Sequence, residues 1–198
     1  SILYMNFTVV GAGYVGLSLA VLISQNFKVS LIDIDENKIS LINKKKSPIK
    51  DQYIEEFLSN KELSLNAYSH SKGCYENSDF VIVATPTNYN SKKGNFDTSS
   101  VEEIINDVIN ANSNAYIIIK STIPLGFTDK MKNRFNTNKI FFSPEFLREG
   151  SALYDNLYPS RIIVGGFCEK AETFARVLSQ CSYLNNKVQI LFMESSEA

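Results

Sequence analysis

Apolar residues along this chain fall into two kinds of stretch that alternate. Short, nearly unbroken runs have the length and the β-branched and aromatic content of strands buried on both faces: Val9-Val10, Val29-Ser30-Leu31-Ile32, Phe80-Val81-Ile82-Val83, Tyr116-Ile117-Ile118-Ile119 and Ile140-Phe141-Phe142. Between them apolar positions recur at helical spacing: Val15, Leu19 and Leu22-Ile23; a segment ending near Leu41-Ile42; Tyr53, Ile54, Phe57 and Leu58; Val101, Ile104-Ile105 and Val108-Ile109; and a helix reaching about Phe135. Arg161-Ile162-Ile163-Val164-Gly165 is a further strand candidate, Ala171 to Leu178 a further helix, and Val188 to Phe192 a last strand, and the parallel alternation is expected to continue through them. Strands buried on both faces and separated by amphipathic helices predict an α/β fold: a doubly wound, Rossmann-like, mostly parallel sheet with helices on both faces and right-handed crossovers.

Polar segments punctuate this pattern. Ser47-Pro48-Ile49 breaks it, and Ala84-Thr85-Pro86-Thr87-Asn88 is a turn-rich loop leaving the carboxyl end of a strand. Tyr89 to Phe96 reads as a polar loop, and Ser99 with Glu102 reads as a capping box. After the strand ending at Phe142, Pro144 suits the first position of a helix on which Glu145 and Glu149, four apart, would share one face. Taken alone, two such glutamates are more often a solvated face carrying negative charge at a helix start. No internal repeat or interdomain linker is visible, and Met5 stands just before the first strand, so the domain is read as residues 5–198.

The first strand runs into Gly11-Ala12-Gly13-Tyr14-Val15-Gly16, and the second ends in Asp33. Gly11 permits a tight turn, Gly13 lets the backbone approach a pyrophosphate, and Gly16 lets the helix press on the strand. Such a pyrophosphate would rest on free N–H groups at the positive end of the helix dipole. Glycines after a strand also simply mark turns, but here they open a βαβ unit of about 30 residues. Asp33 is placed to accept from both hydroxyls of an adenosine ribose, the alternative being an N-cap for the helix starting near Asp35. Ile34-Asp35-Glu36-Asn37-Lys38 offers no arginine to a 2′-phosphate, which favours NAD over NADP.

Composition narrows the remaining options. With 20 Lys+Arg against 21 Asp+Glu in 198 residues, the chain has no basic excess to attract nucleic acid, and Lys44-Lys45-Lys46 reads as a solvated helix end. No stretch approaches the roughly 18 apolar residues of a membrane span, and no signal-peptide pattern is visible, so a cytoplasmic location is the expectation. Cys74, Cys168 and Cys181 lack metal or disulfide spacing. His70, the sole histidine, lies in polar surroundings and reads as a surface residue, leaving no triad and no histidine metal cluster.

Five segments in order, GAGYVGL at 11–17, ATPTN at 84–88, KSTIPLGFT at 120–128, SPEFLREGSALYD at 143–155 and YPSRIIVG at 158–165, make the chain resemble the UDP-glucose/GDP-mannose dehydrogenase family over essentially its whole length. Members of that family oxidise the C6 hydroxyl of a nucleotide sugar to a carboxylate, in two hydride transfers to two NAD and through a cysteine thioester. The resemblance implies UDP-glucose as substrate and UDP-glucuronate as product. It leaves UDP-N-acetylmannosamine or GDP-mannose as alternatives, and a non-catalytic nucleotide-binding module as a different class of reading.

Carried across by residue, the resemblance implies that Val15, Asp33, Lys38, Thr87, Thr122 and Glu149 join the glycine loop and Tyr14 in holding NAD. It implies that Glu145, Phe146, Leu147, Arg148 and Glu149 line the sugar site and that Tyr154 approaches the diphosphate. Hydrolysing a thioester requires a positioned water and a general base, which Thr122 and Glu145 can supply. The family's GGxCxPKD segment with its nucleophilic cysteine, and its central-helix lysine and asparagine, are not found in this sequence. The chain therefore reads as the amino-terminal, NAD-binding part of a longer enzyme, inactive alone. Glu194 to Ala198 would enter a central helix through which the full enzyme forms a homodimer.

Overall fold

The computed structural model describes residues 4–194, so the expected helix start at Ser195–Ala198 lies outside the described residues. The chain begins with β1 (Asn6–Val10), α1 (Tyr14–Ser24), β2 (Lys28–Ile32), α2 (Glu36–Asn43), α3 (Gln52–Asn60) and β3 (Leu65–Tyr68). It continues through β4 (Phe80–Val83), a small hairpin of β5 (Tyr89–Asn90) and β6 (Asn95–Phe96), α4 (Ser99–Ala111), β7 (Tyr116–Ile119) and α5 (Phe127–Phe135). It ends with β8 (Ile140–Phe142), α6 (Ala152–Leu157), β9 (Arg161–Gly165), α7 (Glu169–Cys181) and β10 (Gln189–Met193). The strands other than the hairpin pair form one sheet in the order β10-β9-β8-β7-β4-β1-β2-β3.

Alternation along each strand divides the core in two, because successive side chains leave opposite faces of a sheet. Phe7, Val9, Phe80, Ile82, Ile118 and Phe141 point to one face and pack with Leu19 and Leu22 of α1, Leu153 and Leu157 of α6 and Phe174 of α7. Val10, Val81, Val83, Ile117, Ile119 and Ile140 point to the other, against Val101, Ile105 and Val108 of α4 and Met131 of α5. Each such large apolar side chain, fully buried, stabilises the fold by roughly 1.5–3 kcal/mol.

Two local expectations are corrected, and one strand is added. The hairpin β5–β6 occupies part of the predicted polar loop. The capping box is displaced: Thr98 is the N-cap of α4 and its Oγ1 donates to Glu102 Oε2 at 2.9 Å, while Asp97 accepts from the Ser99 amide and hydroxyl at 3.0 and 2.6 Å. The edge strand β3, which pairs with β2, has no clear signal because of its four residues only Ala67 is buried.

Parallel pairing also fails at one place. β8 pairs antiparallel with β9, Phe142 opposite Gly165, and β10 runs parallel to β9. The connection between β8 and β9 holds only the six-residue α6, which rises about 9 Å. It packs beside α1 at the carboxyl end of the sheet instead of carrying the chain back to the opposite edge. Asp51, buried as the N-cap of α3, fixes it there by accepting from the amides of both Ile54 (3.1 Å) and Leu153 (3.3 Å).

Candidate functional site

From β1 the chain winds outward through β2 to β3, then returns to place β4 on the other side of β1. Loops leaving the carboxyl ends of β1 and β4 therefore diverge, and a crevice opens where they part. Gly11 shapes this point. Its φ of +107° is a conformation side chains rarely adopt, and a Cβ there would lie 2.5 Å from Ala84 O. A Cβ on Gly16 would lie 1.7 Å from Gly11 O, so α1 sits directly on the glycine loop. A Cβ on Gly13 would meet nothing within 4 Å, which leaves open space in front of the backbone that starts α1. The first helical bond runs from the Leu17 amide to Gly13 O, so the amides of Tyr14, Val15 and Gly16 face that space.

Asp33 directly follows β2 at the same level. Its Oδ2 accepts from the Ala12 amide at 2.7 Å and its Oδ1 from the Asp35 amide at 2.9 Å, so the carboxylate is aimed back into the glycine loop and keeps lone pairs for a further donor on each oxygen. The N-cap alternative for Asp33 is excluded. Asp35 caps α2, accepting from the amides of Asn37 (3.0 Å) and Lys38 (3.2 Å). Lys38 lies half-buried in the first turn of α2, and no bond among the described residues joins it to Asp33. Lys44 to Lys46 are exposed at the end of α2, and His70 is exposed, as expected.

Two short hydrogen bonds zip the loop after β4 to the loop after β7. Ser121 Oγ donates to Thr85 O and Thr87 Oγ1 donates to Thr122 O, both at 2.6 Å. Thr87 and Thr122 are thus brought together on one rim of the crevice, with the Thr122 side chain exposed.

The segment after β8 forms the other rim, and it is not helical. Residues 143–148 are irregular and Glu149-Gly150 is a turn, so Pro144 opens no helix and the two glutamates share no helical face. Local bonds compete with the helix. Glu145 Oε2 accepts from the Leu147 amide at 2.6 Å, and Asp155 of α6 takes the Arg148 amide (2.9 Å) and its guanidinium (2.8 and 3.2 Å). The Arg148 guanidinium holds the Asp155 carboxyl below its usual range. Burial pushes the Tyr14 phenol up, and the charges of Glu145 and Glu149 push it further. Phe146 is exposed beneath the Arg161 guanidinium, 4.9 Å from its ring, and Tyr154 stands in an aromatic row with Tyr53 (5.5 Å) and Tyr158 (4.9 Å).

Beneath this rim lies a cavity of 240 Å³ whose lining includes Lys120, Glu145, Arg148, Asp155 and Arg161. The sequence assigns Lys120 no role, since a lysine after an apolar run reads as a strand end. It is buried, its Nζ donates to Ser143 Oγ at 3.0 Å, and desolvation pulls its pKa down to about 8, against an upward pull from Glu145.

The described cysteines are remote from the crevice. Cys74 lies beside Thr8 and Ser78, Cys181 is buried with its carbonyl bonded to Gln25 past the end of α1, and Cys168 faces the start of β7, the opposite end of that strand from Thr122. Among the described residues no helix is long and apolar enough to cross a membrane.

Open space before Gly13, free amides on α1 and a carboxylate at the end of β2 fit a dinucleotide. Comparison with known proteins agrees. The sequence profile of the NAD binding domain of the UDP-glucose/GDP-mannose dehydrogenase family matches residues 5–181. The chain is 49% identical over 98% of its length to a UDP-glucose 6-dehydrogenase of Campylobacter jejuni, and 46% identical over 98% to one of Streptococcus pneumoniae, covering 50% of each relative. Its fold superposes on a UDP-glucose dehydrogenase from Pyrobaculum islandicum with a TM-score of 0.82 and 25% identity, covering 98% of this chain and 47% of the other. The chain thus spans about half the length of the curated relatives it matches. With the glycine loop, the carboxylate of Asp33 and the profile match in agreement, this chain belongs to the UDP-glucose/GDP-mannose dehydrogenase family and carries that family's NAD-binding domain.

Proposed function

We propose that this chain is the coenzyme half of an NAD-dependent UDP-glucose 6-dehydrogenase, which oxidises the C6 hydroxyl of UDP-glucose to the carboxylate of UDP-glucuronate. The observation that carries this reading is 49% identity along 98% of the chain to a relative of that name. The geometry is compatible with it, because the glycine loop leaves open space before Gly13 and the Asp33 carboxylate is bonded to the Ala12 amide beside it.

Each residue then has a task. The amides of Tyr14, Val15 and Gly16 bind the pyrophosphate, Asp33 takes the adenosine ribose hydroxyls, and Thr87, Thr122, Lys38 and Glu149 complete the coenzyme's surroundings. Bound NAD supplies a nicotinamide ring that accepts hydride. Residues Glu145 to Glu149 surround the sugar and Tyr154 approaches the diphosphate. A cysteine outside this chain holds the acyl group as a thioester, consistent with the distance of Cys74, Cys168 and Cys181 from the crevice. Glu145 removes a proton from a water held by Thr122, the water oxygen adds to the acyl carbon, and the C–S bond breaks with its electron pair leaving on sulfur. The reading includes a cytoplasmic location and a homodimer built through the other half.

Co-expression of this chain with the remainder of its reading frame tests the proposal. The expected result is NADH formation that depends on UDP-glucose, two NADH per sugar, with no turnover by this chain alone. Absence of NADH, or equal turnover with UDP-N-acetylmannosamine or GDP-mannose, contradicts it.

A further inference from the structure

Lys120 presents a problem of charge. Its side chain is buried, and the only acceptor on its Nζ among the described residues is neutral: Ser143 Oγ at 3.0 Å, whose own proton is committed to Ile163 O at 2.7 Å. An ammonium taken out of water is costly unless an anion compensates it. Two carboxylates line the cavity that Lys120 faces, Glu145 and Asp155. Asp155 is already occupied, because Arg148 binds both of its oxygens, at 2.8 and 3.2 Å. Of the other ionisable groups in the lining, Arg161 lies over the Phe146 ring and Tyr158 packs on Tyr154. From α1, the Tyr14 phenol, pushed up by burial and then by the charges of Glu145 and Glu149, adds no cation. Among the described residues Glu145 is left as the carboxylate in this lining with no ion pair, and it follows Ser143, the anchor of Lys120, by two residues.

We propose that Lys120 is a positioning residue for Glu145: from the floor of the cavity, anchored on Ser143, its ammonium balances the Glu145 carboxylate across the cavity and holds it in place to take a proton. The inference deepens the dehydrogenase reading and rests on it for the identity of the proton's source. The charges pair across the cavity and not as a contact ion pair, which leaves the carboxylate free to act. Burial pulls the Lys120 pKa down to about 8 and Glu145 opposes that pull. If Lys120 served only to tie the end of β7 to β8 and β9 through Ser143, its charge would have no consequence at Glu145.

The test is a pair of NMR titrations on this chain, which need no turnover. In Lys120→Met the Glu145 carboxyl midpoint is expected to rise by about one pH unit and to return in Lys120→Arg. In Glu145→Gln, which leaves the lysine in place should Lys120→Met not fold, the Lys120 midpoint is expected to fall below its wild-type value. Unmoved midpoints in either folded variant overturn the proposal. In the longer enzyme, Lys120→Met should shift the acid limb of the kcat profile upward by the same amount with KM for UDP-glucose unchanged. Coupled midpoints without that shift overturn the positioning role, because Glu145 is then not the base, whereas loss of coupling with activity intact overturns the pairing alone.

Discussion

Gly16→Ala destabilises the fold by about 3 kcal/mol or more, the upper end of the cost of overpacking a core. The new methyl would lie 1.7 Å from Gly11 O and 2.9 Å from Gly11 C, and both are backbone atoms that no rotamer change can move aside. Either α1 lifts from the sheet or the glycine turn unwinds. Lifting α1 disturbs Leu19 and Leu22, which pack in the larger core cluster, and unwinding the turn releases the Asp33 bond to the Ala12 amide. Denaturant unfolding of wild type and variant measures the loss. Gly13→Ala is the contrasting control. Its Cβ enters open space, so stability should change by less than about 1 kcal/mol, while NAD affinity falls because the methyl occupies the place of the pyrophosphate. Wild-type stability in Gly16→Ala would show that the helix is not seated on the loop as described.

Glu145→Gln, made in the longer enzyme, lowers kcat by about 10²- to 10⁴-fold, the usual contribution of a positioned general base. The amide is nearly isosteric with the carboxylate and its oxygen can still accept from the Leu147 amide, so the loop should hold its shape. In the proposed reaction both oxidation steps precede hydrolysis. The variant is therefore expected to release a burst of NADH approaching two per active site and then turn over slowly, as the acyl group waits on sulfur. Rapid-quench kinetics separates this from a general loss of binding, which would lower the burst and raise KM. A variant with unchanged steady-state rate removes Glu145 from the chemistry.

Much of the fold is legible in the sequence, for a physical reason. Strands buried on both faces must be apolar at every position, so Phe80 to Val83 and Tyr116 to Ile119 stand out against any background. The glycine fingerprint and Asp33 are legible because the backbone geometry at Gly11 and Gly16 tolerates nothing larger. What sequence reasoning loses are features decided by partners distant along the chain. β3 is a strand because β2 offers it an edge, not because of its own composition. The run after Ser143 has helical credentials, a proline followed by glutamates four apart, yet Asp155 draws Arg148 away and Glu145 turns onto the Leu147 amide. The direction of β9 depends on the shortness of α6. Lys120 reads as an ordinary polar strand end, and only the packing around it shows that the charge is buried.

The central claim is that NAD lies on the glycine loop with its adenosine ribose held by Asp33. Calorimetric titration of this chain with NAD and with NADP, beside the same titrations of Asp33→Arg, tests it most directly. Wild type is expected to prefer NAD. The variant is expected to lose at least tenfold in NAD affinity, the equivalent of about 1.4 kcal/mol and no more than one charge-assisted hydrogen bond. Equal NAD affinity in the two proteins would contradict the account.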